Sequence, residues 1–281
     1  MSVCIIDTFC GFNKCFIDTG FSKEKWNEYI DNYLPYAREE IEHDVSKYNF
    51  KTDILPVLNN VYLKKEEMFI MHESFLNVVS NVEEKIKQKL EDASINAVIV
   101  LYLGLCNGAG WAVSFSNTPH ILLGMEKIIE LNWYNENEMK GLIYHELGHV
   151  WHKQNRSTSF PLLNTLKDKT LWQLYSEGVA MYFEQLLCDD ECFYHQDKDG
   201  WLNWCNKNRT ALFNEYIRVI ENSESHQKFF GDWCDYLGVS DVGYYLGCEL
   251  IKYLLKSRSA SDILELSLND IEMVLYSISG C

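Results

Sequence analysis

The sequence predicts an α+β fold, mainly helical, with a small mixed sheet packed on one central helix and helical parts at either end. Three observations carry this. Apolar residues recur at helical spacing through the first ninety residues and again from about residue 135 onward. Between these regions lies a β-branched apolar run, Ile95 to Leu103, with two shorter strand-like segments after it. No Pro-rich or Gly/Ser-rich linker interrupts the chain, so its 281 residues are expected to close on themselves as one compact unit. Within that unit, residues 1–92 form a helical N-terminal region and residues 93–281 carry the sheet and the later helices.

Taken in order, residues Glu24 to Lys47 place Trp26, Tyr29, Ile30, Tyr33 and Leu34 at helical spacing, with a break or kink near Pro35. Phe75 to Leu90 reads as an amphipathic packing helix with Leu76, Val79, Val82, Ile86 and Leu90 on one face. Ile95 to Leu103 is a strand. The turn-rich stretch Cys106-Asn107-Gly108-Ala109-Gly110 leads to a second strand, Trp111 to Phe115, and His120 to Met125 is a third. Asn135 with Glu138 offers a capping box for the next helix. Helices are then expected over Leu171 to Leu187, Asn206 to Glu221 and Tyr244 to Leu255. A last one, capped at Ser261-Asp262, runs through Ile278.

Composition excludes several classes. Hydrophobic residues at 47% are too many for a disordered chain. A net charge of −16 disfavours nucleic acid and anionic lipid as partners. The longest apolar run, Ile95 to Leu105, is too short to span a bilayer. The N-terminus lacks the basic start and long apolar stretch of a signal peptide. The cysteines, Cys234 and Cys281 among them, are irregularly spaced with no Cys-x-x-Cys pair, so a thiolate zinc site is not expected. Reduced thiols and a cytoplasmic location are the expectation.

The most specific chemical signal is Tyr144-His145-Glu146-Leu147-Gly148-His149. Residues four apart share a helix face, so His145 and His149 can direct two imidazoles at one zinc ion, with Glu146 beside them as a base. Leu142, Ile143, Leu147, Val150 and Trp151 surround the motif with uncharged side chains. Gly148, costly inside a helix, points to a close approach there. A catalytic zinc takes three protein ligands and keeps one position open. Glu177 is the candidate third ligand, since a carboxylate among Leu171, Trp172, Leu174, Val179, Met181 and Phe183 is expensive unless paired or bound to metal. The small residues Gly178 and Ala180 are expected to let this helix approach the first. Tyr244, in Gly243-Tyr244-Tyr245-Leu246-Gly247, is a candidate donor to an oxyanion, with Tyr245 and His226 as fallbacks. His152 lies on the face of His145 but reads better as a satisfied core or surface histidine.

These motifs together resemble the gluzincin metallopeptidases. More closely, they are similar to a family of predicted zinc-dependent proteases in which His-Glu-x-x-His is followed by Glu-Gly-x-Ala and Gly-Tyr-x-x-Gly. Here they read His145 to His149, Glu177 to Ala180, and Gly243 to Gly247. The resemblance covers about residues 95 to 280. It implies a zincin-like fold, one Zn2+ held by His145, His149 and Glu177, and Glu146 as general base. It also implies a peptide or protein substrate laid on an edge strand upstream of the motif, either Gly110-Trp111-Ala112-Val113 or the His120–Met125 strand. Thermolysin-like members carry Asp four residues after the ligand Glu; here that residue is Met181, so the partner that orients a ligand histidine comes from elsewhere. Two other functions stay open at this point: a non-catalytic zinc-containing protein that binds a peptide or partner, and a metal-dependent hydrolase of a non-peptide amide.

Overall fold

The structure is a computed structural model that describes residues 2–16, 18–90, 95–231 and 235–279. By backbone contacts it divides into two compact units, Met1–Val150 and Trp151–Cys281. The architecture is α+β and mainly helical, with one four-stranded mixed sheet.

The first unit begins with β1 (Ser2–Asp7), followed by α1 (Phe9–Phe16), α2 (Lys23–Tyr33), α3 (Arg38–Val45), α4 (Leu55–Val61) and α5 (Lys65–Lys89). The break expected near Pro35 is the gap between α2 and α3. Then come β2 (Asn96–Tyr102), β3 (Gly110–Phe115), β4 (Thr118–Gly124) and α6 (Met125–Glu130). The last helix of this unit, α7 (Glu136–Asn155), begins directly after Asn135 and runs across the boundary.

Two expectations for this unit need correction. No strand is expected before residue 95, yet β1 pairs in parallel with β2, Ser2 opposite Asn96 through Asp7 opposite Leu101. The short segment Val3-Cys4-Ile5-Ile6 has too few residues to signal a strand alone; β2, some ninety positions away, supplies its hydrogen bonds. On α5 the buried face is Met68, Met71, Phe75, Val78, Val82 and Ile86. Leu76, expected inward, is 43% exposed. The expected face is rotated by about one residue over the first turns, where Phe75-Leu76 and Val78-Val79 each offer two apolar choices.

The sheet order is β1-β2-β4-β3. β2 and β4 are parallel, and β3 is antiparallel to β4, with Gly110 opposite Leu123 and Phe115 opposite Thr118. Ile99, Val100, Leu101, Ile121, Leu122 and Leu123 are fully buried on both faces of the two central strands. β3 is an outer strand and only half-buried.

A buried polar network secures the end of β2. Tyr29 accepts the Leu103 N–H at 2.9 Å and is hydrogen-bonded to Thr8, while the Trp26 indole donates to the Leu103 carbonyl at 3.0 Å. Just beyond, Glu126 is fully buried and accepts the Gly104 and Cys106 N–H groups, both at 2.9 Å. Burial pushes its carboxyl above the usual range, opposed by these N–H donors. Glu126 thereby fixes the turn that feeds β3.

The second unit contains α8 (Leu166–Cys188), α9 (Trp201–Glu221), α10 (Val242–Leu255), α11 (Ala260–Leu264) and α12 (Leu268–Ser279). α8 starts with a capping box from Thr165 and Asp168. The last predicted helix is two helices. Ser259, not Ser261, caps α11 with Asp262, and Ser267 caps α12 by the same reciprocal bonds with Asp270. α8 and α10 cross at two glycines: a Cβ on Gly178 would overlap the Gly247 carbonyl, and one on Gly247 would lie 2.5 Å from the Leu174 carbonyl oxygen. The close approach expected at Gly178 is thus made to α10.

Among the described residues no helix is long and apolar enough to cross a membrane. The eight described cysteines are not in disulfides; Cys234 and Cys281 lie outside the described residues.

Candidate metal centre

α7 places His145, Glu146 and His149 where the sequence spacing requires. The two imidazole centroids are 4.9 Å apart and nearly perpendicular, at 85°. Leu147, Ile143 and Val150 are buried around them, so the motif turn is held by packing and not by solvent-exposed helix propensity. His145 and Glu146 are buried; His149 is half-buried.

Glu146 has a defined neighbour on the sheet. A Cβ at Gly110, the first residue of β3, would lie 2.5 Å from Glu146 Oε1 and 2.8 Å from its Cγ. A side chain at 110 would force the Glu146 carboxylate to shift. The sheet order also separates the two candidate edge strands: β4 is enclosed by β2 and β3, whereas β3 is terminal.

On α8, Glu177 is half-buried and directly precedes Gly178 of the α8–α10 crossing. Among the described residues, His145, His149 and Glu177 form a group of side chains able to hold a metal ion, one ligand atom from each lying within 4.8 Å of the others. Two imidazole nitrogens and a carboxylate oxygen are a donor set suited to zinc, and three protein ligands leave a coordination position for a small molecule.

Tyr244 lies in the first turn of α10 and is half-buried, its ring edge-on to Phe230 with centroids 5.6 Å apart. Gly243 beside it is required by the same ring, which a Cβ at 243 would overlap.

The two fallback residues each have hydrogen-bond partners. Tyr245 is buried and donates to Asn206 Oδ1 at 3.0 Å. His226 has both ring nitrogens engaged, Nδ1 with Thr170 Oγ1 at 2.8 Å and Nε2 with Gln173 Oε1 at 2.6 Å, and burial lowers its pKa. His152 is a core histidine: it is buried, stacks on Trp172, meets Phe160 and Tyr175 edge-on, and lies 3.2 Å from the Tyr175 hydroxyl. Met181 is fully buried among the apolar residues of α8.

The sequence profile of a family described as predicted Zn-dependent protease (DUF2268) matches residues 76–274. That span is well over half of the chain and contains every residue of the candidate centre, so the chain belongs to this family. No curated protein and no solved structure matches it.

Proposed function

We propose that the protein is a gluzincin-type zinc peptidase of zincin-like architecture, with His145, His149 and Glu177 as ligands to one zinc ion. The observation that carries this is the convergence of those three side chains in a chain whose family is described as predicted Zn-dependent protease. When bound, zinc supplies Lewis-acid polarisation of the scissile carbonyl and lowers the pKa of water toward about 7.

The chain's own residues do the rest. Glu146 accepts the proton of the attacking water and returns it to the leaving amine. Its place against Gly110 limits how far the carboxylate can swing. Tyr244 donates a hydrogen bond to the developing oxyanion, its ring fixed by Phe230 and the glycine-based start of α10. β3, the terminal strand nearest Glu146, takes an extended peptide by strand addition. An intact base set against an outer strand favours a catalytic role over a merely structural zinc, which needs neither.

The deciding experiment compares wild type with Glu146→Gln on a mixed peptide pool after zinc loading. Loss of cleavage by a factor of about 1,000 or more with zinc retained supports Glu146 as the base. Undiminished cleavage by Glu146→Gln removes it from that role. A wild type that holds zinc yet cleaves only non-peptide amides supports the amidohydrolase alternative; one that binds peptides uncut supports a binding protein.

A further inference from the structure

The face of β3 turned away from Glu146 ends in a ring cluster that the proposed hydrolysis does not use. Tyr36, Phe115 and His120 meet pairwise, each pair of centroids 5.1 Å apart. They come from three places: the turn between α2 and α3, the end of β3, and the middle of β4. His120 is buried, with Nδ1 2.9 Å from the Thr118 carbonyl oxygen. Phe115 is half-buried and Tyr36 is 44% exposed, so the cluster stays partly open where β3 ends.

The register connects this cluster to Glu146. The Gly124 N–H donates to the Ala109 carbonyl at 3.0 Å. Bonded and non-bonded pairs alternate in an antiparallel ladder, so Trp111, Val113 and Phe115 direct their polar groups at β4. Those of Gly110 and Ala112 point to the opposite, outer side. Side chains alternate too: Gly110 faces Glu146, while Phe115 shares the other face with Val113 and its partner His120. From Gly110 to Phe115 is about 17 Å at roughly 3.4 Å per residue.

We infer that Tyr36, Phe115 and His120 form a specificity subsite for an aromatic or large aliphatic side chain of the substrate, five residues N-terminal to the one that pairs with Gly110. This rests on the peptidase reading above. An added strand bonds best when antiparallel, and an antiparallel peptide on β3 runs from Phe115 toward Gly110. The residue opposite Phe115 forms a non-bonded pair with it, the arrangement in which side chains come closest, and its side chain falls on the face of the three rings. An apolar group there covers ring surface that is otherwise wet; a charged group loses solvent and meets no opposite charge among these three rings.

The test uses the full-length, zinc-loaded protein and a randomised peptide library, with cleavage products read by mass spectrometry. Phe, Tyr or Leu should be enriched at one position several residues N-terminal to the cut. Two peptides differing only there, Phe against Ser, should differ about tenfold in kcat/KM. Tyr36→Ser should bring that ratio close to one, and Tyr36→Phe should restore it. Cleavage without such selectivity, or selectivity that Tyr36→Ser leaves intact, overturns the subsite while the peptidase reading stands. Failure to cut any peptide overturns both.

Discussion

Gly178 and Gly247 pack backbone against backbone where α8 crosses α10, with no space for a side chain at either position. The crossing gives a physical reason for two of the sequence motifs. Gly178 directly follows Glu177, and Gly247 lies three residues after Tyr244. The helices that carry Glu177 and Tyr244 are therefore located by the same contact. In an ordinary helix interior, Gly→Ala adds about 1 kcal/mol of stability. Here Gly178→Ala and Gly247→Ala should each destabilise, by about 1–3 kcal/mol, because rigid backbone must move apart. Urea denaturation gives the sign directly, and a stabilised Gly178→Ala would show that the crossing is looser than described.

At Gly110 the added methyl meets a flexible side chain instead. Gly110→Ala should push the Glu146 carboxylate aside and lower kcat by about tenfold or more, with zinc content and melting temperature close to wild type. Equal kcat in the variant would mean that the position of Glu146 against β3 has no bearing on turnover.

Glu126 lies outside the candidate centre but fixes the turn before β3. Glu126→Ala leaves the buried Gly104 N–H without this acceptor, a loss of about 1–3 kcal/mol, and costs less at the part-buried Cys106 N–H. A severe fall in stability is expected, read by thermal unfolding. A change of only a few tenths would indicate that water replaces the carboxylate without cost.

Much of the centre was legible because the signal is local. Four-residue spacing on one helix announces His145 and His149, and an acid in an apolar helix announces Glu177. Strands β2 to β4 are likewise marked by β-branched runs and turns. The remainder depends on partners far along the chain. β1 is a strand only because β2 accepts it, and nothing beside Gly110 in the sequence indicates that Glu146 fills its missing side chain. Glu126 sits in Met125-Glu126-Lys127, where a surface carboxylate would read the same. The hydrogen bonds of Tyr245 to Asn206 and of His226 to Thr170 and Gln173 also needed three dimensions.

The pH dependence of stability should carry a mark of Glu215. Hydrogen bonds from Arg218, aided by Lys228, hold its carboxyl down from 4.5 to about 2. A carboxyl with a lower pKa when folded contributes stability that is complete above the unfolded value and disappears as pH falls through the folded one. Wild type should thus lose stability between about pH 4.5 and pH 2. Glu215→Gln should flatten part of that loss. Parallel pH profiles for the two proteins would show that the ion pairs are screened in solution.

The proposed chemistry depends on one zinc ion held by His145, His149 and Glu177. Metal analysis of purified, zinc-equilibrated protein tests it most directly, alongside His149→Ala and Glu177→Ala variants whose far-ultraviolet circular dichroism shows them folded. One zinc per wild-type chain, with weak or absent zinc in both variants, is the expected result. A wild type without zinc, or a Glu177→Ala variant that keeps it at full affinity, would rule out the three-ligand site.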